Sequence, residues 1–373
     1  ILFAEEYGQE AVRLAQLTGD QRTLAESLLS LGLVDQTRGD VLGADKKMEE
    51  SLQISRREGY KGIISENLRW LGAQAGWQGD YPRAVALLTE GVAVARDLHD
   101  GLGEIMALAF LSLAQVHLGS YSEAISTIQE CKAKAEALGN PFFVARMPNH
   151  LGWIYRLFSD FSGAEALDQE SAELGRPVTS MPHAEISALI NLGADYLGLG
   201  QVERARSHLG EVLERIESGE FGAHEFLWKP RLLNTLAEAC HAVGDHEEAL
   251  RHVEESLRIA EAHSVRKYVA KGWALRGRIL AALGQAKAAG ADLQRAFALA
   301  DKLNCPSTTY PIAFDLGQWH EAEGQEREAA ELYGRAKVEV KRMATAMEDE
   351  ALRSIFLEWT PVQAIYESCA RVG

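Results

Sequence analysis

The densest group of potentially reactive side chains lies between Cys240 and His252, in the segment CHAVGDHEEALRH. The thiol of Cys240 and the imidazoles of His241, His246 and His252 are groups that could bind a transition metal or support acid–base chemistry. Their spacing matches neither the HExxH pattern of zinc hydrolases nor a pair of CxxC motifs. The alternative is that Cys240 is a small core residue and the histidines lie on helix surfaces. The pattern favours this alternative.

No other segment carries a catalytic signature. The sequence contains no GxxxxGK[ST] phosphate-binding loop. Adjacent acids such as Glu49-Glu50 and Glu247-Glu248 point in different directions when they lie on a helix, so they do not form a carboxylate pair. We therefore predict a protein that is not an enzyme and that holds neither a metal nor another cofactor. The Cys240 to His252 segment is the one place where an enzymatic alternative could be sought.

The overall charge and the cysteines restrict the class of protein further. The 54 acidic residues exceed the 38 Lys and Arg residues, which gives a net charge of −16 and argues against nucleic-acid binding. The four cysteines are Cys131, Cys240, Cys305 and Cys369. They lie far apart in the sequence, which is typical of reduced thiols in a cytoplasmic protein.

The longest apolar stretch runs from Ile105 to Leu118 and contains Ser112, Gln115 and His117. It is too short and too polar for a membrane span, so it predicts a buried helix and no membrane partner. The chain begins at Ile1 within a helical pattern and without Met, so we expect its true N-terminus to lie further upstream.

The elements that position these side chains follow a repeat of about forty residues. Its template is a Leu-Gly pair, then seven residues later a Gly followed by Asp, Gln or Ser, and an Ala five residues after that Gly. The Ala of the template stands at Ala44, Ala84, Ala124, Ala164, Ala205, Ala249, Ala289 and Ala329. The intervals between them are 40, 40, 40, 41, 44, 40 and 40 residues. The sequence therefore predicts eight repeats in residues 21–340.

Each repeat predicts two helices. Apolar residues recur every three or four positions, the turn glycine supplies a left-handed conformation that ends the first helix, and the next Asp or Ser caps the second helix. Residues 1–20 are predicted to be the second helix of a truncated repeat, and residues 341–373 to form capping helices. In the latter segment, Ile355, Phe356, Trp359 and Ile365 are expected to cover the apolar face of the last repeat.

This pattern resembles the tetratricopeptide repeat family in a forty-residue form, over nearly the whole chain. The departures are mild, with Ser112 and Ala237 in the Gly position and Ser159 in the turn position. The resemblance implies an all-α fold, a right-handed superhelix of about eight antiparallel helix pairs with a concave groove.

The resemblance also implies which residues line the groove, since in this family four positions of each first helix face it. The predicted groove residues are Arg146, Asn149, Trp153, Arg156, Arg231, Asn234, His241, Lys271 and Arg278, with Arg69 and Trp77 nearer the N-terminus. In the middle repeats the cations outnumber the one acid, Glu238, which favours an acidic peptide or protein partner. The alternatives are that these cations pair with neighbouring acids, and that Trp77 and Trp153 are core residues.

A second resemblance covers Met343 to Tyr366. This segment looks like the end of large bacterial signal-transduction proteins, such as activators of the maltose-regulon type and multidomain nucleotide cyclases, in which a tetratricopeptide sensor follows a regulatory ATPase module. The matching residues are Leu352, Arg353, Phe356, Leu357, Pro361, Val362 and Ile365. The resemblance implies that the chain is the C-terminal sensor of a longer protein.

Two functions remain open from the sequence. The first is a non-catalytic sensor or interaction module that binds a peptide, a protein or a small inducer in its groove. The second is a constitutive assembly scaffold that self-associates through the aromatic residues of an insertion, Phe221, Phe226 and Trp228.

Overall fold

The computed structural model describes residues 2–178, 183–220 and 225–372. Within these ranges the chain forms nineteen helices and no strand. The helices are α1 (Leu2–Thr18), α2 (Gln21–Arg38), α3 (Val41–Glu58), α4 (Lys61–Gln78), α5 (Tyr81–Asp97), α6 (Gly101–Leu118), α7 (Tyr121–Ala137), α8 (Pro141–Leu157), α9 (Phe161–Gly175), α10 (His183–Gly198), α11 (Val202–Glu217), α12 (Glu225–Ala242), α13 (His246–Ala262), α14 (Arg266–Ala282), α15 (Ala286–Leu303), α16 (Pro306–Ala322), α17 (Glu326–Thr345), α18 (Glu350–Glu358) and α19 (Thr360–Val372).

Helices α2 to α17 form eight consecutive pairs, which confirms the predicted all-α array. The first helices of successive pairs, such as α8, α10 and α12, contact one another along the array, whereas the second helices contact one another at most marginally. The first helices therefore form the inner wall of a superhelix and the second helices form its outer surface.

The pair α4–α5 shows why the repeat has its characteristic residues. Gly79 ends α4 at a φ of 85°, in the left-handed region that favours glycine. Asp80 caps α5 by accepting a hydrogen bond from the backbone N–H of Arg83. A Cβ on Gly72 would lie 2.5 Å from the Cγ of Leu88, so the Gly position lets the two helices approach closely. At the turn of the fourth repeat, Ser159 adopts the left-handed conformation without being glycine, with a φ of 65°.

The superhelix completes more than one turn, and its consecutive turns touch. Arg342 Nη2 donates a hydrogen bond of 2.9 Å to the carbonyl of Leu118, and the Nδ1 of His263 lies 3.4 Å from the carbonyl oxygen of Gly39. Both pairs of residues are 224 positions apart, or about five and a half repeats. Leu303 contacts Gly79 at the same spacing, so closely that a Cβ on Gly79 would lie 2.2 Å from its Cδ2. We call these contacts of Gly39, Gly79 and Leu118 with His263, Leu303 and Arg342 the seam.

The C-terminal helices cover the last repeat, and they also contact the fourth repeat. Helix α19 packs on α17. The buried ring of Phe356 lies 5.2 Å from the ring of Phe158 and 6.0 Å from that of Tyr310, measured between centroids. Trp359 contacts Phe161 in the same way at 5.8 Å. Ile355 differs from its prediction, because 39% of it remains exposed.

Helix α6 is long and apolar enough to cross a membrane by length and composition, with a mean hydropathy of 1.4. More than half of its residues are nevertheless buried inside the protein, against α4, α5, α7 and α8. It is a core helix of the array, as the polar residues within it predict.

Candidate binding site

The first helices enclose an interior space, which we call the lumen. Lys267, on the first turn of α14, extends across it, and its Nζ lies 4.6 Å from the centre of the Trp153 ring on α8. The two residues are separated in sequence by about half of a superhelical turn. Helices α8 and α14 therefore face each other, and their side chains meet within the lumen.

Four cations of the lumen have no carboxylate partner among the described residues: Arg146, Arg231, Lys267 and Lys271. Arg146 Nε donates a hydrogen bond of 3.1 Å to Nε2 of His150. Arg231 Nη2 donates one of 3.1 Å to the carbonyl of Ser187, while its buried Nε has no partner. Lys267 lies against the rings of Trp153 and Tyr268, and Lys271 is exposed. We call these four residues the cation cluster.

The ionisation of the lumen residues reflects their burial and their mutual repulsion. Burial lowers the pKa of Lys267 well below its ordinary value, and the neighbouring charge of Lys271 lowers it further. Burial and the charge of Arg231 lower the pKa of Arg146 to about 10. Burial also holds the pKa of His150 well below its usual range, so this ring is neutral at pH 7 and can accept the hydrogen bond from Arg146. The cations of the cluster therefore lie near one another without a carboxylate ion-pair partner among the described residues.

Two of the predicted groove residues, Arg156 and Asn149, belong to a buried network instead. Arg156 donates to both Asp168 on α9 and Asp195 on α10, at 2.5 Å each. Asn149 Nδ2 donates to the other carboxylate oxygen of Asp168 at 2.6 Å. Burial raises the pKa of Asp168 well above its ordinary value, although Arg156 opposes that shift. This network joins α8, α9 and α10 beneath the lumen, and Oδ2 of Asp195 is its one buried carboxylate oxygen without a partner among the described residues.

Three further predicted residues also have partners within the protein. Arg278 forms ion pairs with Glu238 at 3.3 Å and with Asp315 at 3.6 Å. Asn234 Nδ2 lies 3.5 Å from the carbonyl of Tyr268, and its Oδ1 is buried without a partner. His241 lies at the end of α12, with its Nδ1 3.0 Å from the Nδ1 of His246.

Arg69 and Trp77 lie nearer the N-terminus, on α4. Arg69 is buried, 3.5 Å from Glu66 and over the ring of Trp70. Trp77 is partly buried and packs edge-on against Phe110, with 6.4 Å between the ring centroids. Neither residue contacts the cation cluster, so the structure separates this pair from the central lumen residues.

The Cys240 to His252 segment divides between different environments. Cys240 is buried in the core, while His252 Nε2 lies 2.9 Å from Glu248. Within the ranges that the structure describes, no group of three or more His, Cys, Asp or Glu residues is placed to hold a metal ion.

The sequence interpretation missed Lys267, which lies ten residues before Gly277 and outside the positions that the family resemblance transfers. Its signal was the spacing to Lys271, because residues four apart lie on the same face of a helix. It also missed Asp168, which is on a second helix of a pair and is brought to Arg156 and Asn149 by tertiary packing.

An unbroken series of helix pairs with first helices inside and second helices outside defines an α-solenoid. Residues 182–262 match the model of the tetratricopeptide repeat family, and residues 104–140 match that of anaphase-promoting complex subunit 5. The resemblance inferred from the forty-residue pattern is thus confirmed: the chain is similar to the tetratricopeptide repeat family, most directly over residues 182–262. No curated protein matches the chain in sequence.

Solved structures share this fold. A Rap protein complexed with competence and sporulation factor is similar with a TM-score of 0.56 and 12% identity, over 94% of this chain and 99% of that one. A signal transduction ATPase with numerous domains and a tetratricopeptide repeat sensor, from Pyrococcus horikoshii, is similar with a TM-score of 0.53 and 13% identity. That similarity covers 95% of this chain and 55% of the ATPase chain. At these identities the likeness is one of fold.

Proposed function

We propose that the chain is a non-catalytic interaction module that binds an anionic segment of a peptide or protein in its lumen. The observation that carries this proposal is the cation cluster, in which Arg146, Arg231, Lys267 and Lys271 lie in the lumen without a carboxylate partner among the described residues. Uncompensated charge in a partly desolvated space is unfavourable, and an anion that enters relieves it.

The types of the lumen residues favour carboxylates displayed along a chain. Arg231 retains unused donors on its guanidinium, whose planar fork suits a carboxylate. Lys267 and Lys271 add two ammonium groups on the same face of α14, so an extended acidic segment could contact charges in several repeats. The partly buried ring of Trp153 offers an apolar surface beside them. A small anionic inducer would use the same charges with fewer contacts.

The two fold neighbours support a role as a sensor. One was solved with a factor bound, and the other contains a tetratricopeptide repeat sensor within a larger ATPase. We therefore propose that this chain is a cytoplasmic sensor within a larger bacterial signalling or regulatory protein. Ligand binding in the lumen is then transmitted to an effector of that protein.

The test uses a fluorescent hexaglutamate peptide, with hexalysine as the probe of opposite charge, and measures binding to the purified chain by anisotropy. We expect hexaglutamate to bind and hexalysine not to bind. Replacing Arg231→Glu together with Lys271→Glu reverses two charges of the cluster, so we expect affinity for hexaglutamate to fall about a hundredfold or more.

The matched control is the double variant Arg258→Glu and Arg327→Glu, which makes the same change in net charge on exposed positions of α13 and α17. We expect this control to bind within about threefold of the wild type at moderate salt, because exposed charges are screened. Equal losses in the two double variants would show that net charge, and not the lumen, governs binding. A fold check by circular dichroism accompanies each variant.

The assembly scaffold is a weaker candidate on the aromatic residues first considered for it. Phe226 and Trp228 are buried in the core that α12 forms with its neighbours, so they do not present a surface to another protein. Phe221 lies outside the described residues.

A further inference from the structure

No described residue covers one edge of the superhelix, although this edge carries the same kind of residue that fills the seam. In the seam, Leu303 rests on Gly79 of the preceding turn and is only 3% exposed. Leu98 and Leu138 occupy the same repeat position as Leu303, since each follows the turn glycine of its own repeat by nineteen residues. They are 37% and 55% exposed. Exposed leucines at a position that is buried one turn later indicate an unfilled contact.

The opposite edge of the superhelix carries turn glycines with open space beside them among the described residues. Gly244 and Gly284 have left-handed φ values of 83° and 75°, like the glycines of the seam. A Cβ on either would meet no atom of the described residues within 4 Å, whereas one on Gly79 would lie 2.2 Å from Leu303. A shallow, open hollow lies beside Gly284. Its lining residues are Gly284, Gln285, Ala286, Lys287, Ala288 and Ala291.

We propose that, in the chain of residues 1–373, these two edges bind each other between copies. Leu138 of one copy packs into the hollow at Gly284 of the next, as Leu303 packs on Gly79 within one copy. Leu98 packs at Gly244 in the same register, because Leu98 and Leu138 are as far apart in sequence as Gly244 and Gly284. The occupant is a second copy because the chain itself carries both halves of the contact, and the contact extends the seam that each copy already has.

This contact joins two different surfaces, so it is head-to-tail and each dimer retains one free edge of each kind. Such a contact produces open chains of copies and not a closed two-fold dimer. Each copy carries a net charge of −16, which opposes association at long range. Association therefore strengthens as salt screens that repulsion.

The test is sedimentation equilibrium of the purified chain across a concentration series, at low and at moderate salt. The wild type is expected to associate into dimers and larger species, more strongly at moderate salt. Leu138→Glu places a charge on the leucine edge, and Ala288→Glu places one on the glycine edge. For each variant alone, the association constant is expected to fall at least tenfold. The matched control, Val338→Glu on the outer face of α17, makes the same charge change at an exposed apolar position and is expected to associate like the wild type.

A mixture of the two variants distinguishes this arrangement from others. Leu138→Glu retains the glycine edge and Ala288→Glu retains the leucine edge, so the mixture forms dimers that cannot grow. A wild type that stays monomeric at every concentration overturns the proposal, as does a mixture that stays monomeric when both variants are folded. Hexaglutamate binding by these variants is expected to be unchanged, which keeps this result separate from the function proposed for the lumen.

Discussion

The ammonium group of Lys267 lies 4.6 Å from the centre of the Trp153 ring, and this contact joins two helices that face each other across the lumen. A cation over an aromatic face is attracted to it, but the attraction is small beside the cost of removing a lysine from water. The low pKa of Lys267 records that cost. The residue is thus held in a position that the unliganded protein does not favour electrostatically, which is the property expected of a group that binds an anion.

Replacing Lys267→Met should stabilise the unliganded chain by about 1 kcal/mol at pH 7, because the thioether keeps the packing over Trp153 without the charge. The folded-state pKa of Lys267 lies below its unfolded value, so between these two values the unfolded chain binds more protons and stability rises with pH. That rise should be smaller in Lys267→Met. Urea unfolding at several pH values between neutrality and pH 10 measures both effects.

Lys341→Met, at an exposed position of α17, is the control for this prediction and should leave the pH dependence as in the wild type. The lumen assignment would lose its support if Lys267→Met gained no stability and still bound hexaglutamate as tightly as the wild type.

Asp168 should be the most sensitive polar residue of the core. Asp168→Ala removes the carboxylate that accepts hydrogen bonds from Arg156 and Asn149. The free energy of unfolding should therefore fall by about 3–5 kcal/mol. Asp168→Asn keeps the shape and an acceptor oxygen, and Asp195 still pairs with Arg156, so its cost should be less than half as large. Denaturant titrations of the two variants beside the wild type measure the difference.

The same residue predicts a pH effect of opposite sign to that of Lys267. The pKa of Asp168 is higher in the folded than in the unfolded chain, so between the unfolded and the folded values the folded chain binds more protons. This contribution to stability therefore falls as pH rises through that window, and Asp168→Asn should remove it. Identical pH slopes for the wild type and Asp168→Asn, from pH 4 upwards, would contradict the assignment.

Alanine substitutions at Gly79 and Gly284 can be compared to measure the contribution of the seam to stability. Both have left-handed φ values, 85° and 75°, so an alanine at either position carries backbone strain of roughly 1–2 kcal/mol. Only at Gly79 would the new Cβ also meet Leu303 of the next turn. Gly79→Ala should therefore cost about 1–3 kcal/mol more than Gly284→Ala, as expected for overpacking.

Small-angle X-ray scattering should show a larger radius of gyration for Gly79→Ala than for Gly284→Ala, because the clash separates consecutive superhelical turns. Equal stability and equal dimensions of the two variants would mean that the seam contributes nothing to the fold in solution.

The comparison of Gly79 with Gly284 also indicates which parts of the fold the sequence could predict and which it could not. The helix pairs follow from local features, since Gly79, Asp80 and Ala84 specify a turn, a cap and a close contact within one repeat. The seam could not be predicted, because the contact of Gly79 with Leu303 depends on a small rotation accumulated over more than five repeats. The turn glycine is present at both Gly79 and Gly284, so this position of the repeat does not distinguish the buried turn from the open one.

The residues of the lumen could be predicted only in part, because the repeat register gives positions along one helix and not contacts between helices. The repeat register identified Arg146, Arg231 and Lys271 from the family positions, and these are cations without carboxylate partners among the described residues. The same register could not separate them from Arg156, whose partners Asp168 and Asp195 lie on the next two helices. Whether a cation is paired depends on those neighbours, and a pattern of single positions does not contain that information.

Phe356 provides the last prediction, because it joins the C-terminal helices to the fourth repeat through Phe158 and to α16 through Tyr310. Phe356→Ala should cost about 3–5 kcal/mol, since the ring is fully buried. Ile355→Ala is the control on the same helix and should cost less than about 1 kcal/mol, because Ile355 is partly exposed. If the C-terminal helices hold consecutive turns together, Phe356→Ala should also increase amide hydrogen exchange in α8 and α9, far away in sequence. Faster exchange confined to α17, α18 and α19 would instead mean that these helices cover only the last repeat.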